Sequence, residues 1–369
     1  MEAMEIAKMT VMWMIGFALI YLAVKKEYEP ALLLPMGFGA ILVNLPRTGV
    51  LNQYIEGIGE VNGIIQWLYE MGIEASEAFP ILLFIGIGAM IDFEPLLQKP
   101  ILVFYGFAAH LGIFVAIGLA LLLGFNVADS FSIGIIGAAD GPTAILMSQI
   151  LKSNYMGPIA VVAYSYMALV PIIMPTTIKA ITTKKERQIA MPIRKGKKIP
   201  KAVKIIFPIA VTIFAGFVAP MSVSLVGFLM FGNLIRECGV LESLSKTAQD
   251  VLTNLITLLL GITISFSMTA DKFLQVETVL IMLIGLVAFV FDTIGGVCAA
   301  KIMNIFLKEK MNPMIGAAGI SAFPMASRVV QKMAGDAVPG NIILMQAVGA
   351  NVSGQVASAI IGGILLGLF

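Results

Sequence analysis

The feature that most constrains this chain is a succession of long apolar stretches. Ten run roughly over 8–24, 30–46, 78–95, 100–124, 157–178, 204–219, 221–237, 253–270, 274–300 and 341–369. A helix crosses the hydrocarbon core of a bilayer with about 17–25 mostly apolar residues. Apolar residues make up 59% of the chain and charged ones 12%, against roughly 45–50% and 25% in soluble domains. Water cannot be the only solvent, and the expected fold is an all-α polytopic membrane helix bundle. The chain shows no basic n-region and no small-residue cleavage site, so Thr10 to Val24 reads as a retained span, not a signal peptide. Cys238 and Cys298 suggest neither a disulfide framework nor a metal site.

Two further apolar stretches, 131–151 and 313–333, are interrupted by Gly and Pro. Two amphipathic stretches, about 50–74 and 239–252, are expected at the interface. Segment 179–204 holds ten Lys and Arg and a single acid, Glu186. Cytoplasmic loops carry such an excess, so this linker is expected inside the cell, as are Lys25 and Lys26. Counting spans forward from Lys25, the linker ends up inside only if 131–151 is a re-entrant hairpin entered from outside. Asp140-Gly141-Pro142 supplies its tip. The same count makes 313–333 a second hairpin, entered from the cytoplasm, and leaves Lys301, Lys308 and Lys310 inside.

The halves are related. Ile-Gly-Ala-Ala occurs at 136–139 and at 315–318, and Asp92 matches Asp271 at the same offset of 179. Asn44-Leu45 matches Asn233-Leu234 at an offset of 189. The expected organisation is an N-terminal span (1–29), a first repeat (30–178) with hairpin 131–151, the basic linker (179–204), and a second repeat (205–369) with hairpin 313–333. Inverted repeats with broken elements at matching positions are a layout of secondary transporters, whose ion site lies near the midplane. Shared small residues also arise from helix packing alone.

Asp140 is the central residue. It lies in IGIIGAADGPTAILM, apolar on both sides. A carboxylate at the bilayer centre costs at least about 2.5–3.5 kcal/mol, so it needs a cation, a proton or a cavity. Gly141 and Pro142 free nearby carbonyls, and a hard cation such as Na⁺ takes oxygen ligands. The alternative is a cap on the following half-helix through Thr143. Ser321 has a matching place in the second hairpin, either as an oxygen ligand or as a packing contact. Arg328 either forks onto a substrate carboxylate or snorkels. Tyr166 sits mid-span beside Tyr164, where a hydroxyl needs a partner. Asn351 and Ser353 complete a cation site or bridge helices. His110, the only histidine, reads as packed and neutral. Asp292 pairs with a polar neighbour, and Asp92 and Asp271 read as interfacial caps. Nucleotide loops, zinc patterns and Ser-His-Asp arrangements are absent from the sequence, and the basic linker reads as a topology signal with no need for nucleic acid.

At GIIGAADGPTAI, LLFIGIGAMIDFEPLL, AYSYMALVPIIMP, NPMIGAAGISAFPMASRV and GANVSGQVASAI the chain resembles the β-subunit of the sodium-pumping carboxylic acid decarboxylases, over nearly its whole length. The resemblance implies a membrane subunit that couples decarboxylation of carboxybiotin to outward Na⁺ transport, with a proton consumed from outside. Carried over, Asp140, Tyr166, Ser321 and Arg328 are implied as catalytic. Asp140, Asn351, Ser321 and Tyr166 are implied as Na⁺ ligands, and Arg328, Asn312 and Gly316 are implied at the biotin site. Ser327 and Gln355 are more polar than the family pattern suggests. The implied cofactors are Na⁺ and biotin, the latter attached to a partner. Implied partners are a biotin-carrier subunit, a carboxyltransferase subunit and a small membrane-anchor subunit, in a prokaryotic inner membrane, with room for a homo-oligomer. A secondary Na⁺/H⁺ antiporter or organic-anion symporter acting alone is the competing class. The acid substrate and the ion stoichiometry are not written in this chain.

Overall fold

A computed structural model describes residues 3–27, 30–75, 77–191 and 198–369. Arg194, Lys195 and Lys197 of the basic linker lie outside the described residues, as does residue 29, where the sequence reading ends the first span. Apart from one small hairpin, the described elements are helical. Seven helices are long and apolar enough to cross a membrane, and up to nine if two bent pairs each count as one span. The one remaining stretch, 30–46, gives a helix of only 14 residues. At 1.5 Å per residue it reaches about 21 Å, short of a ~30 Å hydrocarbon core.

In chain order, α1 (Ala3–Lys26) and α2 (Pro30–Val43) pack together. The antiparallel strands β1 (Asn52–Ile55) and β2 (Gly59–Asn62) follow, turning at Gly57 with φ 85°. The sequence reading expected an amphipathic stretch here and did not foresee the strands. Next come α3 (Ile64–Tyr69), which runs on through a wide turn at 70–74, then α4 (Ala78–Met90), α5 (Glu94–Gln98), α6 (Leu102–Ala108) and α7 (Leu111–Leu122). The first hairpin is α8 (Val127–Gly134), a tight turn over 135–138, and α9 (Gly141–Ile150). Then α10 (Met156–Ile181) bends by 67° between Met167 and Leu169. Pro171 lies inside it, and a proline ring both clashes with the carbonyl four residues back, here Met167, and removes its hydrogen bond.

The short α11 (Lys184–Arg187) starts at a capping box of Thr183 and Glu186. The second half runs α12 (Lys201–Val218), α13 (Val223–Cys238), α14 (Glu242–Lys246), α15 (Thr253–Ile264), α16 (Ala270–Phe273) and α17 (Val276–Phe306). It ends with α18 (Met314–Ala317), α19 (Met325–Ala337) and α20 (Leu344–Leu366). Segment 239–252, read as interfacial, leads into a helical run, Glu242–Met268, that as a whole is long and apolar enough to cross a membrane.

The halves interlock. Helix α2 packs on α15, and α13 packs on α4. Glycines allow the second contact: a Cβ on Gly88 would run into the Leu229 backbone, and one on Gly232 into that of Ile85. Small residues are how membrane helices approach closely. Two asparagines bolt the crossings. Asn44 Nδ2 donates to the carbonyls of Ala40 (2.8 Å) and Met268 (2.7 Å), and its Oδ1 accepts from the Ala270 amide (2.8 Å). Asn233 Nδ2 donates to the carbonyls of Gly88 (3.4 Å) and Ile91 (2.9 Å). These are the two asparagines matched by the sequence repeat, each reaching into the other half.

Candidate functional site

The site forms where the two helix breaks meet α20. In the first break Ala139 is left-handed, with φ 55°, and Asp140 is extended at the head of α9. The Pro142 ring starts that helix where no donor is needed. This sharp reversal directs the Asp140 side chain inward, where it is 3% exposed. Its Oδ2 accepts from the Thr143 hydroxyl (2.6 Å) and from the Ser358 hydroxyl of α20 (3.1 Å). Asp140 stands at the N-cap position, as the capping alternative expects, but its carboxylate takes the hydroxyls of Thr143 and, from the other half, Ser358 in place of a cap bond to the helix backbone. Two neutral hydroxyl donors orient a carboxylate without neutralising it.

A cavity of about 230 Å³ opens beside Asp140. Its polar wall comprises Asp140, Tyr164, Ser321, Gln355, Thr253 and Thr257. Tyr164 stands against the break itself: a Cβ on Gly141 would overlap its ring. The Tyr164 hydroxyl is buried and has no hydrogen-bond partner among the described residues.

Ser321 is 1% exposed in the second break. Its hydroxyl donates to the Gly354 carbonyl (3.0 Å) and lies 3.1 Å from His110 Nε2. His110 Nδ1 sits 2.6 Å from the Gly106 carbonyl, so the histidine is packed and bonded, as read. Asn351 Nδ2 donates to the Ile320 carbonyl at 2.6 Å. Asp140 and Ser321 therefore share one cavity wall, with Asn351 bonded to the residue before Ser321.

The structure does not bring every expected residue there. Tyr166 is not in the cavity wall: its hydroxyl donates to the Met282 carbonyl of α17 and its ring leans on Phe289. Residues two apart on a helix point about 200° apart, so one tyrosine of the pair can face Asp140, and it is Tyr164. Asn312 spends its Nδ2 on the carbonyls of Arg187 (2.9 Å) and Ile189 (3.0 Å), and its Oδ1 accepts from the Met314 amide (3.1 Å). It pins the basic linker. Gly316 meets the Gly296 backbone of α17, and a Cβ on either would collide with the other. Two of the three expected biotin-site residues, Asn312 and Gly316, thus make internal contacts. Arg328 is exposed on α19, and among the described residues no carboxylate pairs with it. One turn on, Lys332 joins Lys179, Lys184 and Arg187 around a cavity of about 500 Å³ that also holds Asp336.

The other three carboxylates that the sequence singled out, Asp292, Asp92 and Asp271, do not line this cavity. Asp292 is fully buried, and its Oδ1 accepts from the Gly112 amide (2.6 Å) just past the break between α6 and α7. Asp92 accepts from the Glu94 amide (2.9 Å) at the head of α5, and Asp271 pairs with Lys8 (3.0 Å). Sequence reasoning did not single out Ser358 or count Gln355 as a ligand. The signal was there: Asn351, Gln355 and Ser358 follow i, i+4, i+7 spacing, which puts all three on one face of α20.

The family profile described as the Na⁺-transporting oxaloacetate decarboxylase beta subunit matches residues 8–369. The chain is 45% identical to the methylmalonyl-CoA decarboxylase subunit beta of Propionigenium modestum, covering 97% of this chain and 94% of that one. It is 44% identical to the glutaconyl-CoA decarboxylase subunit beta of Acidaminococcus fermentans, covering 97% and 92%. It is 41% identical to a probable oxaloacetate decarboxylase beta chain of Vibrio cholerae, covering 96% and 94%.

Proposed function

This chain belongs to the family of Na⁺-transporting oxaloacetate decarboxylase β-subunits, and from that we propose that Asp140 is the residue that binds the transported Na⁺. The carrying observation is a buried carboxylate whose one oxygen holds two neutral hydroxyl donors, facing a cavity with Tyr164, Ser321 and Gln355. An ionised carboxylate in that position needs a cation, and the cavity wall offers the oxygen ligands that a hard cation takes. Na⁺ and H⁺ then compete for one site, and the bare carboxylate is the costly state. That cost keeps the empty carrier from crossing. Asn351 does not line that wall but is held on the Ile320 carbonyl next to Ser321, and this reading adds it as a further ligand. Two inverted repeats, 30–178 and 205–369, would carry the two hairpins as the moving unit.

Carboxybiotin on a partner subunit supplies the driving chemistry: its N–CO₂⁻ bond breaks to release CO₂, and the ring nitrogen takes up one proton. Arg328 and the cationic cavity of Lys179, Lys184, Arg187 and Lys332 suit an anionic group arriving from the linker side, which we assign to the cytoplasm. The biotin-carrier and carboxyltransferase subunits, the small anchor subunit and the bacterial inner membrane complete this reading.

The test is ²²Na⁺ uptake into proteoliposomes holding the whole complex, driven by its acid substrate. Asp140→Asn is expected to abolish uptake. Full retained pumping would remove Asp140 from the mechanism, and Na⁺ uptake by the isolated chain would favour an antiporter acting alone.

A further inference from the structure

The polar face of α20 contains a pattern that the proposed Na⁺ site does not use up. Each member reaches one of the two helix breaks. Asn351 Nδ2 donates to the Ile320 carbonyl, Gln355 Nε2 to the Ser321 carbonyl, and the Ser358 hydroxyl to Asp140 Oδ2. The helix therefore stitches the second break to the first.

In both amides the donor end faces a carbonyl, which can only accept. Turning either amide over would set two acceptors against each other, so each amide oxygen points away from the bond. Asn351 Oδ1 and Gln355 Oε1 are both buried and have no hydrogen-bond partner among the described residues. A buried acceptor without a partner is uncommon and costly. Gln355 is 3% exposed and lines the cavity that Asp140 faces; Asn351 is not in that wall. The Tyr164 hydroxyl, also without a partner, lines the same space.

We propose that Gln355 Oε1 is a neutral oxygen ligand to the cation at Asp140 and that it sets which monovalent cation the cavity prefers. The inference rests on the Asp140 reading above. A carboxylate gives the site its charge. A fixed amide oxygen adds a ligand without adding charge, so it tunes selectivity by the size and dehydration of the ion. A cation in the cavity would give Gln355 Oε1 its missing partner while Nε2 keeps the second break in place.

The experiment is equilibrium ²²Na⁺ binding to the purified full-length chain in proteoliposomes, with LiCl and KCl as competitors, for the wild type, Gln355→Met, Gln355→Glu and Asp140→Asn. Gln355→Met keeps the volume and removes the oxygen. It should weaken Na⁺ binding about tenfold and change the Na⁺/Li⁺ ratio. Gln355→Glu keeps an oxygen at that position but adds charge beside Asp140 and sets an acceptor against the Ser321 carbonyl, so it too should change the Na⁺/Li⁺ ratio. Unchanged affinity and ratio in Gln355→Met, with binding lost in Asp140→Asn, would overturn the role of Gln355 and leave Asp140 standing. Equal loss of Na⁺ and Li⁺ binding in both Gln355 variants would also overturn it, leaving Gln355 only its bond to the Ser321 carbonyl. Wild-type binding in Asp140→Asn would instead sink the Asp140 reading itself.

Discussion

The two helix breaks occupy matching places in the halves and are built differently. The first turns through a single left-handed residue, Ala139, and puts a carboxylate at the head of α9. The second spans 318–324 and holds a neutral serine, with carbonyls tied down by Asn351 and Gln355. Charge resides on one side only. A second buried carboxylate would need a second cation or proton and would repel the first. The neutral break holds hydrogen bonds and, in the proposed reading, would add ligands with no further charge to move. On that reading one break would give the site its charge and the other only neutral groups.

The contrast predicts unequal effects. Asp140→Asn should abolish Na⁺-coupled uptake in the whole complex, whereas Ser321→Ala should retain it with roughly tenfold weaker Na⁺ dependence, about 1.4 kcal/mol. Uptake assays at graded Na⁺ separate the two, and equal loss would mean that both breaks carry the ion alike. Tyr164→Phe should weaken Na⁺ activation by about tenfold. Tyr166→Phe should instead lose about 1 kcal/mol of stability, because the Met282 carbonyl loses its donor. Thermal unfolding in detergent, measured beside Na⁺ titration, distinguishes them; the reverse pattern would restore Tyr166 to the site.

Smaller differences are expected at the crossings. Asn44→Ala leaves the Ala270 amide and the Met268 carbonyl unpaired and should cost about 1–3 kcal/mol. Asn233 makes only donor contacts, so Asn233→Ala should cost less, and urea midpoints in mild detergent would rank them. The smallest effect is at Glu94, on the short helix between α4 and α6. The Lys204 ammonium (2.5 Å) holds its carboxyl below the usual 4.5, against an opposing push from burial. A depressed carboxyl contributes stability above its ordinary range and loses it as pH falls through the lowered value. Glu94→Gln should flatten that acid limb by about 0.5 kcal/mol, in keeping with a partly exposed pair.

Much of this was legible in the sequence because the bilayer is a strict solvent. Nine of the ten apolar stretches correspond to long or bent helices, and the Gly-Pro signal marked the break that holds Asp140. The asparagine match at 44 and 233 pointed to a repeat, but not to the fact that each asparagine serves the opposite half. The choice between Tyr164 and Tyr166 was hidden because it depends on the rotation of α10 about its axis, which the apolar pattern of a helix buried on most sides does not encode. Asn312 and Gly316 were legible as special, but their contacts were not: one pins the linker and the other lets α18 lie on α17. The small hairpin at 52–62 was missed because its alternation is weak and it is largely exposed.

The crossed asparagines also bear on how the chain is made. Met268 and Ala270, which Asn44 must meet, are synthesised more than two hundred residues after it. Until then the first half sits in the membrane with α2 lacking its partner and Asn44 lacking two of its bonds. Neither half can close alone, so assembly must wait for the second to arrive. A gene cut within the linker should give two unstable fragments when expressed singly and one stable protein when both are made together.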